Sequence, residues 1–147
     1  MRPVISLLVP ALVLVMPAAA QTRPDAEAMV KKAIAYAKAN GVEKALQEVS
    51  DPSGPFTKGE LYIFVYDLSG NVMAHGAKTN MIGKNLLNTR DADGNPYVLN
   101  LINIGKTKGK GWLSFKFPDP VTHKIEPKTA YVELYDGLVY GSGVYAM

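Results

Sequence analysis

The stretch Leu61-Tyr62-Ile63-Phe64-Val65-Tyr66 is an unbroken apolar run, and its pattern decides the fold class. Short runs of β-branched and aromatic residues are typical of strands. Successive side chains of a strand point to opposite faces, so the aromatic residues at even positions share one face and the aliphatic residues at odd positions share the other. Because both faces are apolar, the run predicts a strand that is covered on both sides.

The segments that follow this strand predict an antiparallel sheet. Asp67-Leu68-Ser69-Gly70-Asn71 has turn chemistry, and Val72 to His75 then returns as the second arm of a hairpin. A loop from Pro118 to Pro127 and a tight turn at Asp136-Gly137 separate the later strands. Those strands are predicted at Trp112 to Phe117, Ala130 to Tyr135 and Leu138 to Tyr145.

A long helix is predicted near the beginning of the chain. Asp25 is a candidate cap, the Ala-rich segment that follows continues to Asn40, and Gly41 is the stop signal. Its predicted buried stripe consists of Val30, Ile34 and Ala37. The helix therefore has one apolar face for packing against another layer of the fold.

Two shorter helices complete the pattern. One is predicted over Val42 to Val49, and the other begins at Pro96 and ends in the glycine-rich connection Gly105 to Gly111. Their predicted inward residues are Ala45, Leu46 and Val49 in the first, and Val98, Leu101, Ile102 and Ile104 in the second. The order helix, helix, β, β, helix, β, β, β predicts an α+β fold with helices packed against a five-stranded antiparallel sheet.

The first twenty residues have the layout of a cleavable secretory signal. Arg2 precedes an apolar run from Ile5 to Met16, and Ala18-Ala19-Ala20 forms a small-residue cleavage site. We therefore expect a signal peptide over residues 1–20, a mature chain that starts near Gln21, and a periplasmic or secreted location. The alternative is an uncleaved N-terminal anchor, which would need roughly 20 apolar residues. No second apolar segment follows, so residues 21–147 are expected to form one domain without a membrane anchor.

Charge and composition exclude several classes of partner. Removal of Arg2 with the signal leaves 15 of the 16 basic residues against 13 acidic ones, a net charge of about +2. The lysines are scattered rather than gathered in a stripe, which argues against nucleic-acid binding. The chain has no cysteine, so disulfides and thiolate metal sites are excluded.

The sequence offers no persuasive catalytic or metal-binding motif. Gly141-Ser142-Gly143 lacks the spacing of a nucleophile elbow, and a glycine-flanked serine in a strand indicates close backbone approach instead. Asp91-Ala92-Asp93-Gly94-Asn95 departs from the calcium-loop pattern and is interpreted as a turn. His123 lies in the proline-containing loop, where a solvated side chain is expected. We therefore expect no enzyme activity, no metal site and no cofactor.

Two positions are candidates for contacting a ligand. His75 ends a predicted strand at the rim of the sheet, where a ligand contact and a merely hydrogen-bonded histidine both fit the pattern. Lys128 opens a strand after Pro127 and has small and aromatic neighbours, although lysines usually lie in water. Strand parity places Lys128 and Tyr131 on opposite faces, so both reach one pocket only if the strand begins irregularly.

A series of short motifs, in this order along the whole predicted mature chain, resembles a single Cache domain. They are Lys32-Ala33-Ile34-Ala35-Tyr36, Asn40-Gly41, Glu43-Lys44-Ala45, Leu61 to Asp67, Gly70, Ala74-His75-Gly76, Ile82 to Leu86, Asp91 to Gly94, Gly111-Trp112, Pro120, Glu126-Pro127-Lys128, Tyr131-Val132-Glu133 and Gly141 to Tyr145. The resemblance rests on the number and order of these matches rather than on a single motif.

The resemblance implies a PAS-like sheet whose pocket is closed by the loop and helix between strands two and three and holds a small organic acid. The ligand-binding positions that we expect on this basis are His75, Tyr97, Trp112, Phe115, Lys128 and Tyr131. Trp112 fits an ordinary core aromatic equally well. Family members usually form the extracytoplasmic part of chemoreceptors and histidine kinases, so such a membrane sensor is the implied partner, and a homodimer through the N-terminal helix is open.

Two departures from the family pattern affect the expected function. The chain shows no transmembrane segment after the signal, which favours a free-standing module that presents its bound state to a sensor. Phe115 and Phe117 stand where the pattern commonly has Tyr and Trp, which makes the pocket more apolar. The alternative function is an interaction module that docks on a partner with its pocket filled by its own aromatic side chains. An enzyme is the second alternative, and it lacks an identifiable base and nucleophile.

Overall fold

The computed structural model describes residues 3–6, 8–14 and 20–145 of the chain. Residues 18 and 19 of the predicted cleavage site lie outside the described residues. The helices are α1 Arg23–Asn40, α2 Val42–Val49 and α3 Tyr97–Lys108, with a short 3₁₀ turn at Thr79–Met81. The strands are β1 Thr57–Lys58, β2 Leu61–Tyr62, β3 Phe64–Asp67, β4 Val72–His75, β5 Lys110–Pro118, β6 Ile125–Tyr135 and β7 Leu138–Tyr145. None of the helices in this part of the chain is long and apolar enough to cross a membrane.

Five of the strands form one antiparallel sheet in the order β4-β3-β7-β6-β5. The predicted α+β fold with a five-stranded antiparallel sheet is therefore confirmed. β7 lies at the centre because it follows β6 through the tight turn at Asp136-Gly137, where both residues have positive φ, and then pairs with β3 on its other edge. The last strand in the chain thus joins the N-terminal hairpin to the C-terminal one.

The apolar run at residues 61–66 is buried throughout, but it is two strands rather than one. Residues Leu61–Tyr62 pair with β1 in a small separate hairpin, whereas Phe64–Asp67 belongs to the main sheet. Between them, the backbone of Ile63 bonds to Phe56 and Gly76 instead of continuing either ladder. The alternation of side chains survives this break, so the predicted division of the run between two faces is confirmed.

The sheet has a separate apolar core on each face. One face, here the α3 face, packs beneath α3 and includes Tyr62, Phe64, Tyr66, Val98, Leu101, Phe115 and Phe117. The other, the α1 face, packs beneath α1 and α2 and includes Val30, Ile34, Val49, Ile63, Val65, Tyr131 and Tyr140. Helices on both faces explain why the central strands are apolar on both sides.

The N-terminal helix begins two residues before its predicted cap. Thr22 is the N-cap and its Oγ1 accepts the Asp25 N–H, while the Asp25 carboxylate accepts the Thr22 N–H at 2.8 Å. Asp25 is thus the reciprocal partner in a capping box rather than the cap itself. The helix ends at Gly41 with φ 93°, as predicted.

Two other boundaries differ from the sequence-based prediction. α3 continues through Gly105 to a left-handed cap at Gly109, because the missing side chain of Gly105 lets Val139 pack against the helix. β6 begins at Ile125 and contains Pro127, which the sequence placed in the loop. Pro127 pairs with Lys116 of β5, and the ladder of β6 with β7 starts one residue later, at Lys128. In the described residues, Pro127 therefore has only one neighbouring strand, where the lack of a backbone N–H is tolerated.

Candidate functional site

A small cavity lies on the α3 face between the sheet and the N-terminal end of α3. Its volume is about 10 Å³, which is room for roughly one water molecule. The residues that line it are Tyr62, Phe64, Tyr66, His75, Tyr97, Phe115, Phe117 and Lys128. The cavity is therefore an aromatic enclosure with one lysine and one histidine.

Two glycines of β7 make space for the side chains of this cavity. Alternation along β7 places Gly141 and Gly143 on the α3 face, between the larger Val139 and Tyr145. A Cβ at position 141 would overlap the ring of Phe64, and one at position 143 would lie 2.9 Å from Cε of Lys128. The glycine-flanked serine motif therefore allows close approach, as the sequence predicted.

Lys128 reaches the middle of the cavity although only 1% of its surface is exposed. Its Nζ donates a hydrogen bond to Tyr62 Oη at 2.8 Å and lies 4.0 Å from the centroid of the Tyr62 ring. The rings of Tyr145, Phe64 and Phe117 surround the same nitrogen at 5.1, 5.2 and 5.3 Å. The ammonium group thus has aromatic faces around it in place of water.

The charge of Lys128 has no carboxylate to balance it at close range. Among the described residues, no acidic oxygen lies within 4.0 Å of its Nζ. Burial lowers the pKa of Lys128 to about 7, and the more distant charge of Asp119 opposes that shift without cancelling it. Removal of an ammonium from water without a counter-ion is costly, and this cost is the cause of the lowered pKa.

A chain of hydrogen bonds fixes the orientation of Lys128. Tyr145 donates its hydroxyl proton to the carbonyl oxygen of Pro118 at 2.8 Å, so its oxygen must accept from Tyr62 at 3.0 Å. Tyr62 in turn accepts from Lys128. Lys128 uses one N–H in this chain, and the others are directed to the aromatic enclosure.

His75 contributes a neutral donor to the same cavity. Its Nδ1 accepts the backbone N–H of Lys78 at 2.8 Å and of Ala77 at 3.2 Å, so the ring proton must be on Nε2. Burial, with the positive charges of Lys128 and Lys78 as smaller causes, lowers the pKa of His75 to about 3. The ring is therefore uncharged near neutral pH and can donate from Nε2.

The outer wall of the cavity is formed by aromatic residues from α3 and β5. Tyr97, the first residue of α3, stacks on Phe115 with ring centroids 4.9 Å apart, and Phe117 meets Tyr97 edge-on at 6.1 Å. Burial raises the pKa of Tyr97 to about 12, so its hydroxyl stays protonated. The helix α3 and the strand β5, which follow β4 in the chain, thus contribute this wall of the cavity.

The structure brings together four of the six predicted ligand-binding residues. His75, Tyr97, Phe115 and Lys128 line the cavity. Trp112 and Tyr131 do not, because both point to the α1 face, where their rings lie 5.3 Å apart. Trp112 is 37% exposed beneath Arg23 at 5.8 Å. An irregular strand start, the condition for Lys128 and Tyr131 to reach one pocket, is absent, since the register of β6 with β5 is continuous from Ile125 to Glu133.

The sequence-based prediction missed four residues of the enclosure. Tyr62, Phe64, Tyr66 and Phe117 all line it. Parity was the available signal, because the three aromatic residues of the central run share one face and Phe117 shares a face with Phe115 two positions away. The contact of these residues with Lys128 depends on the order of strands in the sheet, which local patterns do not specify.

Comparison with protein-family models identifies the family of this chain. The model described as Single Cache domain 2 matches residues 19–146. The chain belongs to the single Cache domain family. The sensor histidine kinase MctS of Rhizobium johnstonii is 36% identical over 86 residues, which cover 57% of this chain. The match spans 18% of the length of that kinase.

Solved structures of Cache domains have the same fold as this chain. A methyl-accepting chemotaxis protein from Vibrio parahaemolyticus aligns with a TM-score of 0.72 and 23% identity over 83% of this chain and 86% of its own. A Cache chemosensory domain studied for carboxylic acid recognition aligns with a TM-score of 0.71 and 24% identity over 86% of this chain and 100% of its own.

Proposed function

We propose that this single Cache domain is a sensory module that binds a short-chain carboxylate in the cavity around Lys128. The observation that carries the proposal is a lysine held in an aromatic enclosure, 1% exposed, with no carboxylate of the described residues within 4.0 Å. An anionic ligand would supply the missing counter-charge. We infer binding rather than catalysis, because a cation beside a neutral N–H donor is a pair of groups that suits an anion.

The proposed contacts follow from the protons that the cavity can offer. Lys128 Nζ–H groups not used by Tyr62 would donate to one carboxylate oxygen, and His75 Nε2–H would donate to the other. Charge-assisted hydrogen bonds of this kind are shorter and stronger than neutral ones. The aromatic walls would contact a short alkyl or keto group of the ligand, and among the described residues that line the cavity Lys128 and His75 are the groups that can donate to a carboxylate.

The volume of the cavity limits the size of the ligand. Because about 10 Å³ is enough for one water molecule, entry of any acid requires side chains of the outer wall to move. Tyr97 and Phe115 are the side chains that we expect to move, since Tyr97 belongs to the helix that covers the sheet and Phe115 to the edge strand of the sheet. Acetate, propionate and pyruvate are the candidates that demand the smallest displacement.

The proposed setting is extracytoplasmic. A cleavable signal over residues 1–20 would export residues 21–147 to the periplasm or outside the cell, where the domain would present its bound state to a membrane sensor kinase or chemoreceptor. The names of the kinase and chemotaxis relatives support this class of partner. A homodimer through α1 stays a prediction.

A thermal-shift screen tests the proposed ligand class. Acetate, propionate and pyruvate are compared with acetamide and propionamide, which match the first two acids in shape but lack the charge. A ligand at 100 times its dissociation constant should stabilise the folded protein by roughly 2.7 kcal/mol. The expected result is stabilisation by at least one acid and by neither amide, and equal responses to an acid and its amide would contradict the proposal.

A second candidate function is an interaction module with no small-molecule ligand. The observation that favours it is the small cavity, which the protein's own aromatic side chains nearly fill. In that case no carboxylate would stabilise the protein at millimolar concentration. The same screen, extended to dicarboxylates and amino acids, therefore separates the two functions.

A further inference from the structure

A second cleft lies beside the ligand cavity and is lined by carboxylates. Its volume is about 170 Å³, and Tyr145 forms part of its wall as well as part of the hydrogen-bond chain that holds Lys128. The residues that line it are Ala20, Gln21, Glu60, Asp119, Thr122, Glu126, Gly143, Val144 and Tyr145. We call it the acidic cleft.

Asp119 is the most deeply placed acid of this cleft, with 1% of its surface exposed. Its Oδ1 accepts the backbone N–H of Val121 at 2.8 Å and of Thr122 at 3.4 Å. Its Oδ2 is buried and has no hydrogen-bond partner among the described residues. A buried carboxylate oxygen without a donor is unfavourable, so Oδ2 can gain a hydrogen bond from a donor that enters the cleft, or from neighbouring Glu60 when that acid is protonated.

The carboxylates of the acidic cleft also lack a cation. Among the described residues, no nitrogen of Lys, Arg or His lies within 4.0 Å of Glu60, Asp119 or Glu126. The pKa of Glu60 is raised to about 7, first because its protonated form can donate to Asp119, and then by burial and by repulsion from Asp119 and Glu126. The cleft therefore favours a positively charged occupant with N–H donors.

The start of the predicted mature chain lies in this cleft. Ala20 and Gln21 line it together with the three acids. The neighbouring residue holds Gln21 in position, because Thr22 caps α1 and donates its N–H to the Asp25 carboxylate at 2.8 Å. In the uncut chain, residues 20 and 21 contribute only a neutral peptide group here.

We propose that cleavage after Ala20 creates an α-ammonium group on Gln21 that binds in the acidic cleft as the counter-ion of Asp119. Hydrolysis of the Ala20–Gln21 peptide bond consumes one water molecule, leaves the new carboxylate on Ala20 of the released signal, and gives Gln21 an α-ammonium group with three N–H donors in the cleft that Asp119 lines. Removal of the signal thus supplies the charge that the cleft lacks. The inference rests on the proposed cleavage site and is independent of the carboxylate ligand.

Other charged groups border the acidic cleft, and their influence on the α-amino group must be distinguished from that of Asp119. On one side of Gln21 lie Asp25, Lys32 and Lys58. On the far side of Asp119 lie Lys78 and His123, and the buried Lys128 is within its electrostatic reach. Cleavage of the signal makes and breaks no bond in any of these groups, whereas the α-ammonium group exists only in the cleaved chain.

The pKa of the α-amino group tests this inference. The protein used is the chain from Gln21 to Met147, because every helix and strand of the described residues lies within residues 23–145. It is released from an N-terminal fusion by a protease that leaves Gln21 as the first residue. Its unmodified α-amino group is titrated by NMR, through the pH dependence of the Gln21 ¹³Cα and ¹³Cβ chemical shifts in uniformly labelled protein. We expect a pKa about one unit above the ordinary 7.7–8.0, and a return to the ordinary range in Asp119→Asn.

Matched variants keep the test decisive. Glu43→Gln, which neutralises an exposed acid on α2, should leave the raised pKa unchanged. If Asp119→Asn does not fold, the double variant Glu60→Gln/Glu126→Gln replaces it and should lower the pKa towards the ordinary value. An ordinary pKa in the parent, or an equally raised pKa in the acidic-cleft variants, would overturn the inference whether or not any ligand binds.

The chemistry of an N-terminal glutamine gives an independent readout. The lone pair of a neutral α-amine attacks the side-chain amide carbon, closes a five-membered lactam and expels ammonia, whereas an ammonium group has no lone pair to donate. Gln21 held as an ammonium should therefore cyclise several-fold more slowly than in Asp119→Asn, with loss of ammonia followed by mass spectrometry. Equal cyclisation rates would also contradict the inference.

Discussion

Two lysines lie against tyrosine rings on opposite faces of the same sheet, and they differ in what balances their charge. On the α1 face, Lys31 Nζ lies 5.7 Å from the centroid of Tyr131 and 3.3 Å from Glu133 Oε1, and 51% of its side chain is exposed. On the α3 face, Lys128 Nζ lies 4.0 Å from the centroid of Tyr62 and is 1% exposed. Among the described residues it has no carboxylate within 4.0 Å.

This difference separates a structural ion pair from a proposed ligand anchor. Lys31 already has water and a carboxylate, and an exposed pair of this kind contributes about 0–1 kcal/mol to stability. Lys128 has neither, so its burial costs folding free energy that an anionic ligand can offset when it binds. Similar contacts with aromatic rings therefore have different consequences on the two faces.

The largest expected effect is on ligand affinity. Lys128→Met should weaken binding of the carboxylate found in the screen by about 2 to 5 kcal/mol, because the buried anion would lose its cation. Lys31→Met, the same change on the α1 face, should leave the affinity within about twofold of the parent. Isothermal calorimetry on both variants measures the contrast, and equal affinities in the two variants would remove Lys128 from the site.

The second effect is on the pH dependence of stability. The pKa of Lys128 is about 7 in the folded protein and 10.5 ordinarily, so between these values the unfolded chain binds more protons. The free energy of unfolding should therefore rise with pH by up to about 1.4 kcal/mol per unit in this window, and Lys128→Met should remove that rise. Urea denaturation at pH 7, 8 and 9 checks it.

Glu60 provides the control for this window. Its pKa is raised from 4.5 to about 7, so it changes stability mainly below pH 7, and in the opposite direction as pH rises. The difference between the parent and Lys128→Met isolates the lysine. Parallel pH profiles for the two proteins above pH 7 would show that Lys128 is not strongly perturbed by burial.

His75 is expected to make a smaller contribution to affinity than Lys128. An asparagine can accept the N–H groups of residues 77 and 78 as Nδ1 does, but it cannot reach the position of Nε2. His75→Asn should therefore weaken binding by about 1.5 kcal/mol, the lower range for a hydrogen bond to a charged group, while His75→Gln should recover part of the loss. Calorimetry measures both, and an unchanged affinity in His75→Asn would exclude His75 as a ligand donor.

The smallest expected effect lies on the α1 face. Trp112→Phe and Tyr131→Phe should leave ligand affinity within about twofold of the parent, because both side chains are separated from the cavity by the sheet. In the parent, the fluorescence of Trp112 should not respond to saturating ligand. A tenfold loss of affinity in either variant would show that the two faces are coupled.

Much of this fold follows from local patterns. The alternation in residues 61–66 predicted two apolar faces, and the glycines around Ser142 predicted close approach within a strand. Helix α2 and strands β4 and β7 have the bounds that their sequence signals indicate. These features depend on side-chain period and backbone freedom, which neighbouring residues determine.

The features that sequence analysis missed depend on contacts between distant segments. Ile63 interrupts the central strand because its backbone bonds to Phe56 and Gly76. Trp112 and Tyr131 fit a pocket in composition, but the register of β5 with β6 turns both to the α1 face. Local period fixes which residues share a face, whereas only the assembled sheet determines which face meets α3 and its cavity.

Proton uptake on ligand binding tests most directly whether the ligand is the counter-ion of Lys128. At pH 8.5 the free lysine is mostly neutral, and a bound carboxylate should restore its charge, so calorimetry in buffers of different ionisation enthalpy should show close to one proton taken up per ligand. At pH 5.5 uptake should be near zero. Glu60→Gln should keep this pattern, which excludes the other group that titrates near pH 7. Binding with no proton uptake at pH 8.5 would contradict the assignment of Lys128 as the anchor.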